Sequence, residues 1–288
     1  MCKEVIEYLN LRPGCVVIDA TIGTAGHALE IIKRILPGGL LIGVDKDKET
    51  LAVARERLKE FQDRVILIHD DFRNIDAVTR NLKLSGVDAI LFDLGISKFQ
   101  LDNPERGFSF SSDGPLDMRM DRESFISAYD LVNNLSSDEI SNILWSFGQE
   151  HWHNRIARHL VEERRKFPIT TTRQLSNIVV SAIPYKARHK KIHAATKTFQ
   201  AIRIAVNREL EAEEEALKKS VGLLKKGGRI CVLSFHSLED RLVKLNFRYF
   251  ANRAELKIIT PKPLVPSTEE KKANPMSRSA KLRVAERL

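Results

Sequence analysis

Short apolar runs alternate with helical patterns through the first hundred residues of the chain. The runs lie at 15–19, 40–44, 65–68 and 87–92. The segments between them, at 28–36, 48–61 and 74–84, repeat apolar residues every three or four positions. Runs that are apolar throughout are typical of parallel strands buried on both faces, and alternation with helices predicts βαβ units. We therefore expect a parallel sheet flanked by helices.

The alternation stops after residue 95. Residues 96–121 are rich in Gly, Pro, Ser and Asp and predict a long ordered loop, a length usually reserved for function. Only helical patterns follow, from 124 to about 198. A further helix is predicted at 209–226, and strand patterns return at 228–234, 256–260 and 281–285. The chain is thus predicted to be an α/β domain (1–105 and 205–288) with an inserted all-helical domain (106–204) after the fourth strand.

Length and composition exclude several classes of protein. The 288 residues are 43% hydrophobic and 30% charged, which is typical of a globular chain and not of a disordered one. No apolar run approaches the roughly 20 residues that a bilayer span requires, and residues 1–6 lack the apolar core of a signal peptide. Cys2, Cys15 and Cys231 are too few and too scattered for a disulfide framework or a zinc site. We expect a cytoplasmic protein with no membrane association and no bound metal.

The formal net charge of +9 matters because of where the cations lie. From Arg164 through Arg208 the chain has eleven Lys and Arg residues and no Asp or Glu. A solvated helix face normally mixes both signs, so this asymmetry favours phosphate binding over a merely basic surface. A second cluster lies near the C-terminus and consists of Arg278, Lys281, Arg283 and Arg287.

A glycine-bearing turn follows the first predicted strand. Gly23 and Gly26 would let the backbone approach a ligand closely, although a tight turn alone could also explain them. Asp45 ends the second strand, 22 residues after Gly23 (45 − 23), where an acid can bind both ribose hydroxyls. The dinucleotide fingerprint G-x-G-x-x-G is absent from the turn. This disfavours a pyrophosphate, so S-adenosylmethionine is favoured over a nicotinamide cofactor, and a methyltransferase over a dehydrogenase.

Asp93 ends the fourth strand and is followed by several longer motifs. They are D-L-G-I-S at 93–97, Q-L-D at 100–102, R-G-F-S-F at 106–110, D-G-P-L-D-M-R-M-D at 113–121, A-T-K-T-F-Q-A-I-R-I-A-V-N at 195–207, S-F-H-S-L-E-D-R at 234–241 and S-R-S-A-K-L-R at 277–283. In these motifs, which span nearly the whole chain, the sequence closely resembles the bacterial family of ribosomal RNA small subunit methyltransferase H, also called MraW. The resemblance implies a class I (Rossmann-like) methyltransferase fold. It also implies N4-methylation of a cytidine in the decoding region of 16S rRNA, with S-adenosylmethionine as methyl donor.

The resemblance also implies the residues of the site, position by position. The expected cofactor contacts are Ala25, Gly26, His27, Asp45, Phe72, Asp93 and Gln100. Asp93 is the expected catalytic residue, as acceptor of a hydrogen bond from the cytidine amine or as a neighbouring cofactor contact, and these two roles stay open. The expected RNA contacts are Arg106, Arg119, Lys186, Arg188, Lys190, Lys191, Lys197, Arg203, Arg278 and Arg283.

The expected partner is 16S rRNA in the small ribosomal subunit or its precursor, and a homodimer is left open. One alternative keeps the fold but not the chemistry. The family's turn usually carries paired glycines before the histidine, and Ala25 replaces one of them here. If that position needs a positive φ, an alanine is strained there, which would favour an RNA-binding ribosome assembly factor with impaired catalysis.

Overall fold

The computed structural model describes residues 1–188 and 192–288. Its strands are β1 (Val16–Asp19), β2 (Leu40–Asp45), β3 (Val65–His69), β4 (Val87–Asp93), β5 (Leu224–Ser234), β6 (Leu256–Ile258) and β7 (Lys281–Arg287). Its helices are α1 (Cys2–Tyr8), α2 (Gly26–Ile35), α3 (Lys48–Arg57), α4 (Ile75–Asn81), α5 (Lys98–Asp102), α6 (Ala128–Asn134), α7 (Ser137–Gly148), α8 (His153–Arg164), α9 (Thr172–Ala182), α10 (Tyr185–Arg188), α11 (Thr196–Asn207), α12 (Glu209–Leu223), α13 (Ser237–Asn252) and α14 (Thr268–Ala273). Short 3₁₀ helices lie at Lys59–Arg64, Phe72–Asn74, Pro104–Arg106 and Pro275–Ser279.

The seven strands form one sheet in the order β3-β2-β1-β4-β5-β7-β6. β1 to β5 are parallel, whereas β7 runs antiparallel to both β5 and β6. The chain order reverses between β1 and β4, which is the position where open α/β sheets bind their ligands. A mostly parallel sheet with one antiparallel strand at this place is the class I methyltransferase arrangement, so the predicted fold is confirmed.

Alternation along the strands builds a core on each face of the sheet. In β4, Ala89 and Leu91 pack with α1, α2 and α3 on one face, while Ile90 and Phe92 pack with α4, α12 and α13 on the other. All four side chains are buried. A strand covered on both faces has no solvent side, which explains why the central residues 89–92 of β4 are all apolar.

The chain divides into two compact units. Unit 1 comprises Met1–Gly95 with Leu210–Leu288, and unit 2 comprises Ile96–Glu209. The sequence predicts the domain boundaries at 105–106 and 204–205, whereas the alternation of strands and helices stops after residue 95. Unit 2 therefore includes α5 and the 3₁₀ helix Pro104–Arg106, both of which lie in the segment predicted as a loop.

Unit 2 is built from helices around an apolar core of its own. Leu144 of α7, Ile156 and Leu160 of α8, Leu175 of α9 and Ile202 of α11 are all buried in it. Capping boxes begin α6, α7 and α9: in each, a Ser or Thr accepts the N–H three residues on, and that residue's side chain accepts the cap's own N–H. This local chemistry determines where the helices start.

Two predicted helices end earlier than their sequence pattern. The helix predicted at 48–61 stops at Arg57 and continues as a 3₁₀ helix. The helix predicted at 209–226 stops at Leu223, because Leu224 already pairs with Val87 of β4. In the described part of the chain, no helix has the length and apolarity needed to cross a membrane.

Candidate functional site

The turn between β1 and α2 is open on one side. Gly23 has φ +50° and Ala25 has φ 65°, so both adopt the left-handed conformation. A Cβ atom added to Gly26 would meet no atom within 4 Å. The protein itself thus leaves space beside the backbone of Gly26, and this space suits a ligand.

Ala25 occupies a left-handed position despite its side chain. That conformation costs an L-residue about 1–2 kcal/mol. Its methyl group is fully buried in the core under α2, and this burial offsets roughly 0.8 kcal/mol of that cost. Alanine therefore adopts the left-handed conformation in this turn at a small energetic cost.

Asp45, at the end of β2, ties this turn to α3. Its Oδ2 accepts a hydrogen bond from the Gly23 N–H (2.8 Å) and its Oδ1 accepts one from the Asp47 N–H (2.9 Å). Burial raises the pKa of Asp45 to about 6, even though both backbone hydrogen bonds favour the charged form. Each carboxylate oxygen still has a second lone pair, so Asp45 can accept two further hydroxyl groups.

Asp93, at the end of β4, is held on one side only. Its N–H donates to the Thr21 hydroxyl (2.6 Å), and its Oδ2 lies 3.3 Å from Nδ1 of His27. Its Oδ1 is buried and has no hydrogen-bond partner in the described part of the chain. Buried acceptors are rarely left unsatisfied, so this oxygen is suited to receive a donor from a bound molecule.

His27, in the first turn of α2, is the partner of Asp93. Burial works against a charged imidazole, but the hydrogen bond to Asp93 and the negative charges of Asp93 and Asp19 outweigh it. The pKa of His27 is therefore raised. A protonated His27 would donate a hydrogen bond to Oδ2 of Asp93 and leave Oδ1 to accept another donor.

Asp19, at the end of β1, is a functional candidate that the sequence reasoning missed. Its side chain is 1% exposed and accepts a weak hydrogen bond from the Thr21 N–H (3.3 Å). Burial raises its pKa to about 7, although the nearby His27 lowers it. The same strand-end rule that selected Asp45 and Asp93 would have selected Asp19.

The substitution Asp19→Asn should make the stability of the protein less dependent on pH. The native carboxyl group keeps its proton to about pH 7, whereas in the unfolded chain it loses it near its ordinary value of 3.8. The native state thus binds more protons across this interval, and its unfolding free energy falls as pH rises. Relative to the variant, the parent should lose on the order of 1 kcal/mol per pH unit between about pH 4 and 7. Urea unfolding at several pH values would measure this, and a constant difference would contradict it.

Phe72 and Gln100 lie in different units. Phe72 follows β3 in unit 1, in a 3₁₀ helix capped by Asp71, and its ring meets that of Phe92 edge-on at 5.8 Å. Gln100 is buried in unit 2, where its Oε1 accepts the Ser97 N–H (3.0 Å) in the capping box of α5. That bond shows a structural role for Gln100, and its contact with a cofactor stays a prediction.

The carboxyl edge of β1 to β4 therefore carries six of the seven predicted cofactor contacts. They are Ala25, Gly26, His27, Asp45, Phe72 and Asp93. His27 and Asp93 contact each other directly, and Asp45 is hydrogen-bonded to Gly23 in the same turn that carries Ala25 and Gly26.

Four of the predicted RNA contacts have guanidinium groups that are buried or paired with a carboxylate. Arg106 is 1% exposed and donates to the carbonyl groups of Arg119 (3.0 Å) and Met120 (2.8 Å). Arg119, Arg203 and Arg283 pair with Asp117, Glu209 and Asp240 respectively, at 2.7–2.8 Å. We correct the prediction for Arg106, since a buried guanidinium cannot meet phosphate, and the other three charges are neutralised by their partners.

The remaining predicted cations differ in their accessibility. Lys186, Lys197 and Arg278 are exposed, and Lys197 Nζ donates only to the Gln149 carbonyl (2.8 Å). Arg188 donates to two carbonyl groups near the end of α9. Lys190 and Lys191 lie outside the described residues.

The substitution Arg106→Met should destabilise the protein without touching RNA binding. Two carbonyl groups lose a charged donor in a buried place, which should lower the unfolding free energy by about 2–4 kcal/mol. Urea unfolding would measure the loss, and fluorescence anisotropy would measure the RNA affinity of the folded variant. Lys186→Gln is the matched control, for which the opposite pattern is expected. An unchanged stability of Arg106→Met would contradict the assigned role.

Relatives of the chain are known along its entire length. Ribosomal RNA small subunit methyltransferase H of Brevibacillus brevis is 47% identical and covers 100% of this chain and 96% of its own. The protein of the same name from Sulfurihydrogenibium is 49% identical, with 99% and 97% covered. A solved structure of an S-adenosylmethionine-dependent O-methyltransferase from Thermotoga maritima is 9% identical at a TM-score of 0.45, with 100% and 64% covered.

The sequence model of one family matches the whole chain, residues 1–288. It is described as the MraW methylase family. With full-length relatives near half identity, this match shows that the chain belongs to the MraW methylase family.

Proposed function

We propose that this protein transfers a methyl group from S-adenosylmethionine to the N4 amine of a cytidine in small-subunit rRNA. The observation that carries the proposal is the unpartnered, buried Oδ1 of Asp93 at the carboxyl edge of the sheet. An acceptor in that place, beside an open glycine turn and a second carboxylate, suits a reaction between an amine and a bound methyl donor. The relatives' name supplies the substrate class, ribosomal RNA of the small subunit.

The residues present fit S-adenosylmethionine. Asp45 has a free lone pair on each carboxylate oxygen for the two ribose hydroxyls. The open backbone at Gly26 allows close approach, and Phe72 offers an aromatic ring beside the end of β3. When bound, the cofactor supplies an electrophilic methyl group on a sulfonium.

Asp93 is the residue that we assign to the acceptor amine. The lone pair of a cytidine amine is delocalised into the ring, so the amine is a weak nucleophile. A carboxylate that accepts one N–H draws the nitrogen toward tetrahedral geometry and leaves its other side open to the methyl group. On accepting the methyl group the nitrogen would release one proton, which Asp93 can accept and pass to water. Positioning alone supplies several kcal/mol of such a reaction.

His27 and Thr21 act as positioning residues for Asp93. Thr21 accepts the backbone N–H of Asp93 and His27 contacts Oδ2, so the backbone and one side of the carboxylate are both held in place. A side chain with its rotamer held by neighbours loses little entropy when it receives the amine.

The finer parts of the proposal concern the target and the setting. We infer that the cytidine lies in the decoding region of 16S rRNA, in the small subunit or its precursor, and that the protein acts in the cytoplasm. Unit 2 would contribute RNA recognition through exposed cations such as Lys186 and Lys197. The proposal also includes self-association of the protein into a homodimer.

Methyl incorporation tests the proposal. Purified protein would be incubated with tritiated S-adenosylmethionine and small-subunit particles from cells that lack the gene, and with protein-free rRNA from the same particles. We expect label in rRNA, and mass spectrometry of nuclease digests should show N4-methylcytidine. Label in a different nucleoside, or none with either substrate, would overturn the proposal.

The impaired assembly factor predicts RNA binding without methyl transfer. Its main support was Ala25, and Ala25 adopts the left-handed conformation that the turn requires. The structure therefore favours the active enzyme. Tight rRNA binding with no incorporated label would instead support the assembly factor.

A further inference from the structure

One face of helix α13 carries cations and apolar side chains, here called the α13 stripe: Arg241, Lys244, Leu245, Arg248 and Tyr249. Lys244 is half-buried and the other four side chains are exposed. The spacing of three, four, seven and eight residues places all five on one face of the helix. Arg241 and Arg248 are exposed, and Leu245 and Tyr249 are 54% and 55% exposed. Arg241 and Arg248 are seven residues apart, which is about 10 Å along the helix axis.

The acids of α13 do not neutralise this stripe. Glu239 is buried, and its Oε2 accepts the N–H groups of Phe235 (2.7 Å) and His236 (3.2 Å) at the start of the helix. Asp240 pairs with Lys281 (2.9 Å) and Arg283 (2.7 Å) of β7. Among residues 1–188 and 192–288, no carboxylate lies within 4 Å of the charged groups of the stripe. A solvated helix face normally carries both signs, and this one carries only cations.

Tyr249 is an exposed aromatic ring in a fixed position. Arg253 lies over its ring, with 5.5 Å between the guanidinium carbon and the ring centroid, and Phe250 meets it edge-on at 5.1 Å. Arg253 is in turn held by Glu255 at 2.8 Å. Aromatic rings set among cations are the usual surface for single-stranded nucleic acid, because bases stack on the ring while cations meet the backbone.

The stripe starts beside the candidate site. β5 pairs with β4 so that Leu233 lies next to Asp93, and α13 begins three residues after β5 ends. The first turn of α13 therefore lies at the same edge of the sheet as Asp93, and the helix runs back from that edge on the α4 and α12 face. A polyanion bound along α13 would extend away from the reaction site.

From this arrangement we propose that the α13 stripe binds rRNA next to the target nucleotide, with Arg241, Lys244 and Arg248 on phosphates and Tyr249 stacked on an unpaired base. The inference rests on the proposed function for the identity of the RNA. It adds a surface in unit 1 to the basic span of unit 2.

Charge removal tests the phosphate contacts. The triple variant Arg241→Gln, Lys244→Gln, Arg248→Gln would be compared with Lys3→Gln, Arg12→Gln, Arg55→Gln. The control removes the same charge from exposed positions in or next to α1 and α3, which pack on the opposite face of the sheet. Binding of protein-free small-subunit rRNA would be followed by fluorescence anisotropy across a salt series.

The stripe variant should bind rRNA at least tenfold more weakly near physiological salt. Its plot of log K against log salt should be shallower by about 2, because three phosphate contacts are lost at roughly 0.7 per contact. The control should stay within twofold of the parent and keep its slope. Equal affinity and slope for stripe variant and control would overturn the proposal. Weaker binding only to assembled particles, with rRNA binding intact, would also overturn it and indicate a ribosomal protein as partner.

A second pair of variants tests the stacking contact. Tyr249→Leu should bind rRNA at least fivefold more weakly, whereas Tyr249→Phe keeps the ring and should bind like the parent. Equal binding by both would remove Tyr249 from the proposal. Affinity for S-adenosylmethionine, measured by calorimetry, should be unchanged in every variant, since none of these residues is among the predicted cofactor contacts. If the parent never methylates rRNA but the stripe variant still loses RNA affinity, the methyl-transfer proposal fails and the RNA surface stands.

Discussion

The substitution Asp93→Asn should lower kcat for methyl transfer to rRNA by about 100-fold or more. Asn keeps the size of the side chain but loses the charge that accepts the amine proton, and loss of a general base typically costs 10²–10⁴-fold. The effect should be large because Oδ1 of Asp93 is a buried acceptor at the carboxyl edge with no partner in the described part of the chain. Single-turnover incorporation of tritiated methyl groups would measure it.

The affinity for S-adenosylmethionine separates the two possible roles of Asp93. If Asp93 binds the amine, calorimetry should show nearly unchanged affinity for S-adenosylmethionine; if it binds the cofactor, that affinity should fall. The matched control is Asp88→Asn, at the opposite end of β4, where the carboxylate accepts the Val16 N–H (2.8 Å) and pairs with Lys225. Full activity of Asp93→Asn would remove Asp93 from the mechanism.

The substitution Asp45→Asn should weaken S-adenosylmethionine binding by about 100-fold. Hydrogen bonds to a charged acceptor are worth about 1.5–3 kcal/mol each, and two ribose hydroxyls would lose that acceptor. An amide has a further defect, because its nitrogen must face the N–H of either Gly23 or Asp47, both of which need an acceptor. Calorimetry would measure the affinity, and thermal unfolding would show how much of the turn is lost.

The pH dependence of cofactor binding gives an independent readout. Burial raises the pKa of Asp45 to about 6, so the parent should lose affinity as pH falls through about 6 and the carboxylate takes up a proton. Asp45→Asn should lack this dependence, and Asp88→Asn should keep it. An Asp45→Asn variant that binds like the parent at pH 8 would show that the ribose is held elsewhere.

Strand positions were predictable from the sequence, whereas several helix ends were not. Residues 89–92 of β4 are all apolar because both faces of the strand are covered, and this pattern can be recognised without coordinates. The end of α12 at Leu223 depends on the pairing of Leu224 with Val87, a partner 137 positions earlier (224 − 87). Local propensity contains no information about such a partner.

In the candidate site, too, some features were predictable from the sequence and others were not. Asp45 and Asp93 could be selected because acids at the ends of parallel strands meet at one edge of a sheet. The contact of His27 with Asp93 joins residues 66 positions apart (93 − 27) and became visible only in the fold. Asp19 was accessible to the same rule but was not selected.

The basic residues were the least predictable part. Arg106, Arg203 and Arg283 looked like phosphate contacts, yet each is held inside its own unit by carbonyl groups or a carboxylate. Conversely, the sequence places Glu239 and Asp240 next to the cations of the α13 stripe. Along the chain, this segment therefore carries charges of both signs. Only the burial of Glu239 and the pairing of Asp240 with β7 reveal that the charges on the exposed face of α13 are all positive.

The sequence by itself determined the sheet, the strand ends that carry Asp45 and Asp93, and the family. These depend on periodicity and on motif residues, which are properties of neighbouring positions along the chain. The tertiary structure alone decided which oxygen of Asp93 is free to accept, which arginines are neutralised, and which face of α13 is purely basic. Those outcomes depend on the burial and pairing of groups far apart in the chain, and free charge is what remains after such pairing.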